Sequence, residues 1–219
     1  LCLDAANPRS YPKSGTTWSD LAGSNDGAMQ NMTGSSGFNT DNRGNIVFDG
    51  SDDIVVLQQG QIPIGTQERS CAIWFRMSSD ANAAILNWGG NSSDGTRWNL
   101  WRTKDVISGQ KIGIECTNVY KLVDWSFDIN WHQLVVTMDS SATLNGSTIY
   151  FDGTERQVTA SANTSTTINT ASTDFVIGRL SGTSIQYFPG GISQISIYNR
   201  ALTAEEVQQN YRATKGRFK

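Results

Sequence analysis

The sequence predicts an all-β protein made of two packed sheets, and three observations carry that expectation. Apolar residues recur at every second position in short runs, those runs are bounded by Gly, Asn, Asp and Ser, and helical periodicity is confined to one stretch near the C-terminus. A chain of 219 residues suits one large domain spanning residues 1–219, since β sandwiches reach roughly 250 residues. With 37% hydrophobic residues and 21 glycines, such a chain buries roughly 70 to 75% of its unfolded surface and needs neither metal nor disulfide to hold together.

The elements follow in order. Leu1–Asp4 opens as a short strand. The stretch Asn7–Asn45 is rich in Gly, Ser, Thr and Asn and reads as a loop, which Trp18, Leu21, Met29, Met32 and Phe38 pack over the edge of the sandwich. Strands are then expected at Asn45–Phe48, Ile54–Leu57, Cys71–Met77, Ala83–Trp88, Arg97–Arg102, Lys111–Cys116, Trp131–Met138 and Thr148–Phe151. Within Cys71–Met77, Cys71, Ile73, Phe75 and Met77 share one face while Ala72, Trp74 and Arg76 take the other, so only one face is core. Thr159–Thr173, nearly all Ser, Thr, Asn and Ala, reads as a polar hairpin or exposed arm. Two strands remain, Phe175–Gly178 and Ile192–Tyr198, before a helix at Ala204–Tyr211. That helix has a capping box, in which Thr203 accepts from the amide of Glu206 while Glu206 reaches back, and Leu202 and Val207 staple across its start.

Charged residues make up 17% of the chain and the formal net charge is −3. There is no global attraction to phosphate, so no nucleic-acid partner is expected. Lys215, Arg217 and Lys219 form the one basic tail. No apolar run approaches the roughly 20 residues that cross a bilayer, so no membrane insertion is expected. The chain begins at Leu1 and reads as a processed product or a piece of a longer one. Cys2, Cys71 and Cys116 are too few and too widely spaced for a disulfide framework or a metal knuckle. Cys71 and Cys116 fall in phase with apolar neighbours and read as small buried hydrophobes.

His132 is the one histidine, and it lies in phase with Leu134, Val136 and Met138. It reads as a core or rim residue, with no nucleophile or orienting acid beside it in sequence. The five glutamates lack the alternate spacing of a strand-borne carboxylate pair, so no catalytic residue is assigned. Asp49, Asp52 and Asp53 surround Gly50 in a turn between strands. They read either as calcium ligands or as Asx-turn residues bonding nearby amides. Seven tryptophans are many for this length, and aromatic planes flanked by Asn, Asp and Arg often hold sugars. In Arg97–Arg102, Trp98 and Leu100 share one face while Arg97, Asn99 and Trp101 share the other. Trp101 is therefore the expected exposed ring, with Arg97 and Asn99 beside it and Trp88, Trp98, Trp125, Tyr120 and Tyr187 as further ring candidates. Core packing stays open for each of them.

Taken together, Phe48-Asp49-Gly50-Ser51-Asp52-Asp53, Ala72-Ile73-Trp74-Phe75, Trp131-His132-Gln133-Leu134-Val135-Val136, Ile149-Tyr150-Phe151-Asp152-Gly153 and Gly191-Ile192 through Tyr198-Asn199-Arg200-Ala201-Leu202 resemble the concanavalin A-like, laminin-G-type jelly-roll family. The resemblance implies a two-sheet antiparallel jelly-roll sandwich with one short C-terminal helix. It also implies a carbohydrate- or protein-binding role and a calcium ion near a sheet edge. The opening Leu3-Asp4-Ala5-Ala6-Asn7-Pro8 and Gly15-Thr16-Thr17-Trp18, with Asn210-Tyr211 and Thr214-Lys215-Gly216-Arg217-Phe218 at the end, is similar to laminin-G-like modules of tailed-phage structural proteins. That similarity implies a virion-surface or extracellular protein serving in capsid decoration, as a fibre or in adhesion to host glycans, and as a homo-oligomer in some settings. Ser193 stands where relatives often carry an acid, and the closely spaced acids of glucanase relatives are missing. The expectation is a non-enzymatic glycan- or surface-binding module. The alternatives are a purely structural decoration protein that contacts other virion proteins and, last, a glycan-cleaving enzyme.

Overall fold

The computed structural model describes residues 1–34, 36–57, 62–90, 92–104, 107, 109–173, 175–180 and 185–218. In chain order the strands are β1 Cys2–Asp4, β2 Thr17–Trp18, β3 Gly27–Gln30, β4 Gly37–Asn39, β5 Asn45–Asp49, β6 Ile54–Leu57, β7 Arg69–Met77, β8 Ala83–Gly89 and β9 Arg97–Thr103. They continue as β10 Lys111–Glu115, β11 Tyr120–Asp124, β12 His132–Met138, β13 Ser147–Phe151, β14 Thr154–Glu155, β15 Ala160–Ala162, β16 Val176–Ile177 and β17 Pro189–Tyr198. The helix α1 covers Ala204–Thr214. The expected strands are present with small shifts at their ends. The Asn7–Asn45 loop, however, contributes β2, β3 and β4, and β11, β14 and β15 are further additions. These pieces have little alternation of their own and are held by their neighbours in the sheets.

The strands form two antiparallel sheets. One has eight strands in the order β14-β13-β12-β7-β17-β5-β4, with β1 beside the later half of β17, and the other has nine in the order β15-β11-β10-β9-β8-β16-β6-β3-β2. Strand β17 works twice along its length, since Pro189–Ile192 pairs with β5 and Gln194–Ser196 pairs with β1. Its Pro-Gly-Gly opening carries no strand signal. It pairs with β7 all the same, and the close approach is open to Gly190 because a Cβ there would meet the carbonyl of Arg76.

The core lies between the sheets. Trp18, Trp88, Trp98, Phe48, Phe75, Phe175 and Phe188 are fully buried there, as are Cys71 and Cys116, and all three cysteines are free. Arg69 enters this core with no carboxylate partner among the described residues. Its guanidinium lies over the rings of Trp98 at 5.3 Å and Trp88 at 5.9 Å. It donates to Gly65 O at 2.7 Å, Thr170 Oγ1 at 2.8 Å and Gln67 O at 2.9 Å. Burial pulls its pKa down to about 10, which still leaves it charged. Arg69 thereby ties the polar 159–173 stretch to the sandwich, so that stretch is a packed segment and not a free arm.

The outward face of the eight-stranded sheet is closed by the C-terminus. Val207 of α1 packs with Val135, Tyr150 and Leu202. Trp74 stands up from β7 between Tyr211 at 5.6 Å and Phe218 at 4.1 Å, both nearly parallel to it, and donates to Thr214 Oγ1 at 2.9 Å. Beyond the helix, Arg217 bonds Asp4 at 2.8 Å, Asn42 O at 2.9 Å, Gly44 O at 3.0 Å and the Ser193 hydroxyl. The expected basic tail is thus an internal strap at Arg217, while Lys219 lies outside the described residues. The helix runs three residues past its expected end, and the capping box at Thr203 and Glu206 forms as expected.

Candidate functional site

The nine-stranded sheet presents a polar row on its outward face. Register places Tyr120 opposite Glu115, Glu115 opposite Asn99 and Asn99 opposite Asn87, one residue from each of four adjacent strands about 4.8 Å apart. Arg97, on the same face of β9, forks onto Glu115 with Nε at 2.8 Å and Nη2 at 2.6 Å, and Asn99 Nδ2 donates to the same carboxylate at 3.3 Å. Both partners of the ion pair keep 11% side-chain exposure while Asn99 and Asn87 are buried, so the row meets solvent only at its Arg97, Glu115 and Tyr120 end. Two positions along, Lys111 pairs with Asp124 at 2.5 Å. The Lys111 ammonium, with help from Thr159, holds Asp124 below the usual carboxylate range. These paired charges leave the face electrically compensated.

Of the predicted ring residues, Trp101 lies on this face, between Ala84 and Gly113 of the neighbouring strands. It is only 6% exposed, however, which corrects the expectation of an open aromatic plane. Its indole N–H and the side-chain oxygen of Asn99 are buried without a partner. Trp125 is corrected too. It belongs to the core, edge-on to Phe75 at 5.8 Å, with Arg102 over its ring at 5.3 Å. Tyr187 is half-buried and follows Gln186, whose carbonyl accepts from the Ala84 amide. The accessible ring beside the polar row is half-buried Tyr120. The decisive acid, Glu115, was not singled out from the sequence. Its alternation with Ile112 and Ile114 gives its face, but only the pairing of β9 with β10 brings Arg97 to it.

Asp49, Asp52 and Asp53 sit in the turn between β5 and β6, with one ligand oxygen of each within 4.8 Å of the others. Two oxygens bonded to one calcium at about 2.4 Å lie no farther apart than about 4.8 Å, so the spacing admits the ion. Much of the donor set is already engaged. Asp49 Oδ1 accepts from the Ser51 amide at 2.7 Å, while Asp53 accepts from the Asp49 amide at 2.7 Å and the Ser36 hydroxyl at 3.3 Å. Burial, with Asp49 and Asp52 nearby, raises the Asp53 pKa. At Asp49 burial is outweighed by the amides of Ser51, Asp52 and Asp53, and the pKa falls.

His132 has two acid partners that sequence spacing did not show. Nδ1 lies 2.7 Å from Asp152 and Nε2 lies 3.0 Å from Asp128. Burial disfavours its charged form, but the two aspartates outweigh burial and raise its pKa. Both ring nitrogens of His132 are engaged by acids, and the contacts join the segments that carry Asp128 and Asp152.

The comparisons fit this architecture. The family model described as the concanavalin A-like lectin/glucanases superfamily matches residues 48–208. No curated protein matches the chain in sequence. Among solved structures, domain 4 of an extracellular GH43 arabinanase from Geobacillus stearothermophilus, in complex with arabinotriose, superposes with a TM-score of 0.65 at 18% identity, covering 87% of this chain and 91% of that one. The botulinum neurotoxin type G receptor-binding domain gives 0.58 at 19% identity over 97% of this chain and 50% of its own. Trypanosoma rangeli sialidase in complex with sialic acid gives 0.61 at 13% identity over 98% of this chain and 32% of its own. At these identities the structures speak for the fold. With the family match spanning most of the chain and two antiparallel sheets closed over one aromatic core, this protein belongs to the concanavalin A-like lectin/glucanases superfamily.

Proposed function

We propose that this chain is a non-enzymatic module that binds neutral glycans on the outward face of the nine-stranded sheet. The observation that carries the reading is the compensated polar row, in which Arg97, Glu115 and Asn99 form one hydrogen-bonded unit beside the half-buried ring of Tyr120. Sugars are held by planar forks and amides that both donate and accept, next to an aromatic surface. Arg97 is neutralised by Glu115 and Lys111 by Asp124, which favours uncharged sugars over sialylated or uronic ones. Glu115 is engaged by Arg97 and Asn99, and among the described residues no second carboxylate joins this hydrogen-bonded unit, which supports a binding role over glycoside hydrolysis. A neighbouring fold that carries arabinotriose supports the same ligand class.

A glycan array containing neutral and sialylated oligosaccharides tests the proposal, with Arg97→Ala and Tyr120→Ala run beside the parent chain. Binding to neutral glycans that both variants lose is the expected result, and binding that both variants retain would refute the placement. Calcium at Asp49, Asp52 and Asp53 is a second part of the proposal, supported by their spacing, and calorimetric titration with calcium against Asp52→Asn checks it. Display at a virion or extracellular surface, as an oligomer or against other virion proteins, rests on the sequence similarity to tailed-phage modules. Antibody labelling of intact particles and a sizing run address that part.

A further inference from the structure

We infer that the closed face hides a second site, a pocket under α1 that accepts a small uncharged polyol group. Where α1 crosses the eight-stranded sheet, Ala72 on β7 and Ala213 on the helix leave a cavity of about 110 Å³. Its walls are the edge of Trp74, Gln133 on β12, and Gln194, Ser196 and Tyr198 on β17, with Asn210 and Thr214 overhead. That volume holds several waters or one polyol of a few carbons.

The cavity carries a specific unmet demand. Gln133 is 4% exposed, and its side-chain oxygen is buried without a hydrogen-bond partner. Leaving such an acceptor unpaired costs free energy that a hydroxyl donor in the cavity would recover. The other polar groups are amides and hydroxyls. Asn210 Nδ2 lies 3.5 Å from the Tyr198 hydroxyl, and Thr214 Oγ1 donates to Asn210 O at 2.8 Å while accepting from Trp74. Among the described residues no Asp, Glu, Lys, Arg or His lines the cavity. A lining of neutral donors and acceptors around one orphan acceptor selects adjacent hydroxyls and rejects carboxylates, phosphates and amines. Those hydroxyls come either from a free polyol or from the terminal residue of a glycan.

The test is a ¹⁵N-detected NMR titration of the whole chain with glycerol, erythritol, a methyl pentofuranoside and a neutral oligosaccharide, reading the Gln133 side-chain amide and the Trp74 indole N–H. Chemical shift is the readout because polyols raise melting temperatures unspecifically. Saturable shifts at millimolar ligand are expected. Ala213→Leu, which fills the roof from an exposed helix position, should weaken binding by at least about ten-fold, the equivalent of one lost hydrogen bond of about 1.4 kcal/mol. Gln133→Met should abolish binding while the chain stays folded. Arg97→Ala should leave these shifts intact, so failure of the outer-face proposal and failure of this one are distinguishable. Shifts with the small polyols alone assign a free polyol, and shifts with the oligosaccharide assign a glycan terminus. Absence of saturable shifts with all four ligands, or equal shifts in Ala213→Leu, overturns the inference.

Discussion

The two sheets treat their outward faces in opposite ways. On the eight-stranded sheet, Trp74, Val135 and Tyr150 are covered by α1 and the arm that follows it, and Arg217 pins that arm to Asp4. On the nine-stranded sheet the corresponding layer holds Arg97, Asn99 and Glu115 bonded to one another and Lys111 bonded to Asp124. An apolar face needs a lid, whereas a self-paired polar face can stay recessed beneath the surface without one. The difference puts the helix-covered apolar contacts on one side of the sandwich and the proposed glycan-binding row on the other.

The comparison can be broken most severely at Trp74. Trp74→Ala removes the ring stacked between Tyr211 and Phe218 and is expected to cost about 4 kcal/mol in urea unfolding, in the range for large aromatic truncations. Chain that remains folded should keep the glycan affinity of the outer polar row, since the ring lies on the other side of the molecule. Arg97→Ala sharpens the contrast. It leaves Glu115 recessed without its cation, at about 3 kcal/mol of stability, and it should also abolish glycan binding, so one substitution moves both readouts. Arg217→Ala releases the strap and is expected to lower stability by about 2 kcal/mol, with faster amide exchange confined to α1 and β1.

The smallest effect is that of pH on the His132 clamp. Because its folded pKa is raised above the ordinary 6.5, its contribution is complete below about pH 6.5 and fades as pH climbs through the folded value. Asp128, whose partly desolvated carboxyl is held below its usual range by His132 and Asn130, gives up its side of the contact only in acid. Urea midpoints of the parent chain should therefore fall gently from pH 6 toward pH 8, and His132→Asn should flatten that slope. An unchanged slope in the variant would remove His132 as its source.

Legibility from sequence followed the strength of the local pattern. Strands with strict alternation, such as Arg69–Met77 and Arg97–Thr103, and the helix with its capping box were readable because each states its own period. Gly27–Gln30 and Tyr120–Asp124 were not, since Gly-Ala-Met-Gln and Tyr-Lys-Leu-Val-Asp become strands through the partners that flank them. At the site, alternation correctly put Arg97, Asn99 and Trp101 on one face. It carried no information about what covers Trp101, and none about the register that delivers Glu115 to Arg97. Trp125 was misjudged for the same reason, because a lone aromatic at a strand's end gives no phase. The two acids on His132 come from turns that only the packed sheets bring together.

The pairing of β1 with β17 sets a timetable for biosynthesis. Cys2–Asp4 is synthesised well before its partner Gln194–Ser196, and the Asp4–Arg217 bond joins residues 213 positions apart. Strand β1 must therefore wait with its edge unpaired while the strands between it and β17 are made. Such long-range closure slows folding and exposes a strand edge to neighbouring nascent chains. Crowded polysomes, more than the finished protein, are where this sandwich is most open to misassembly.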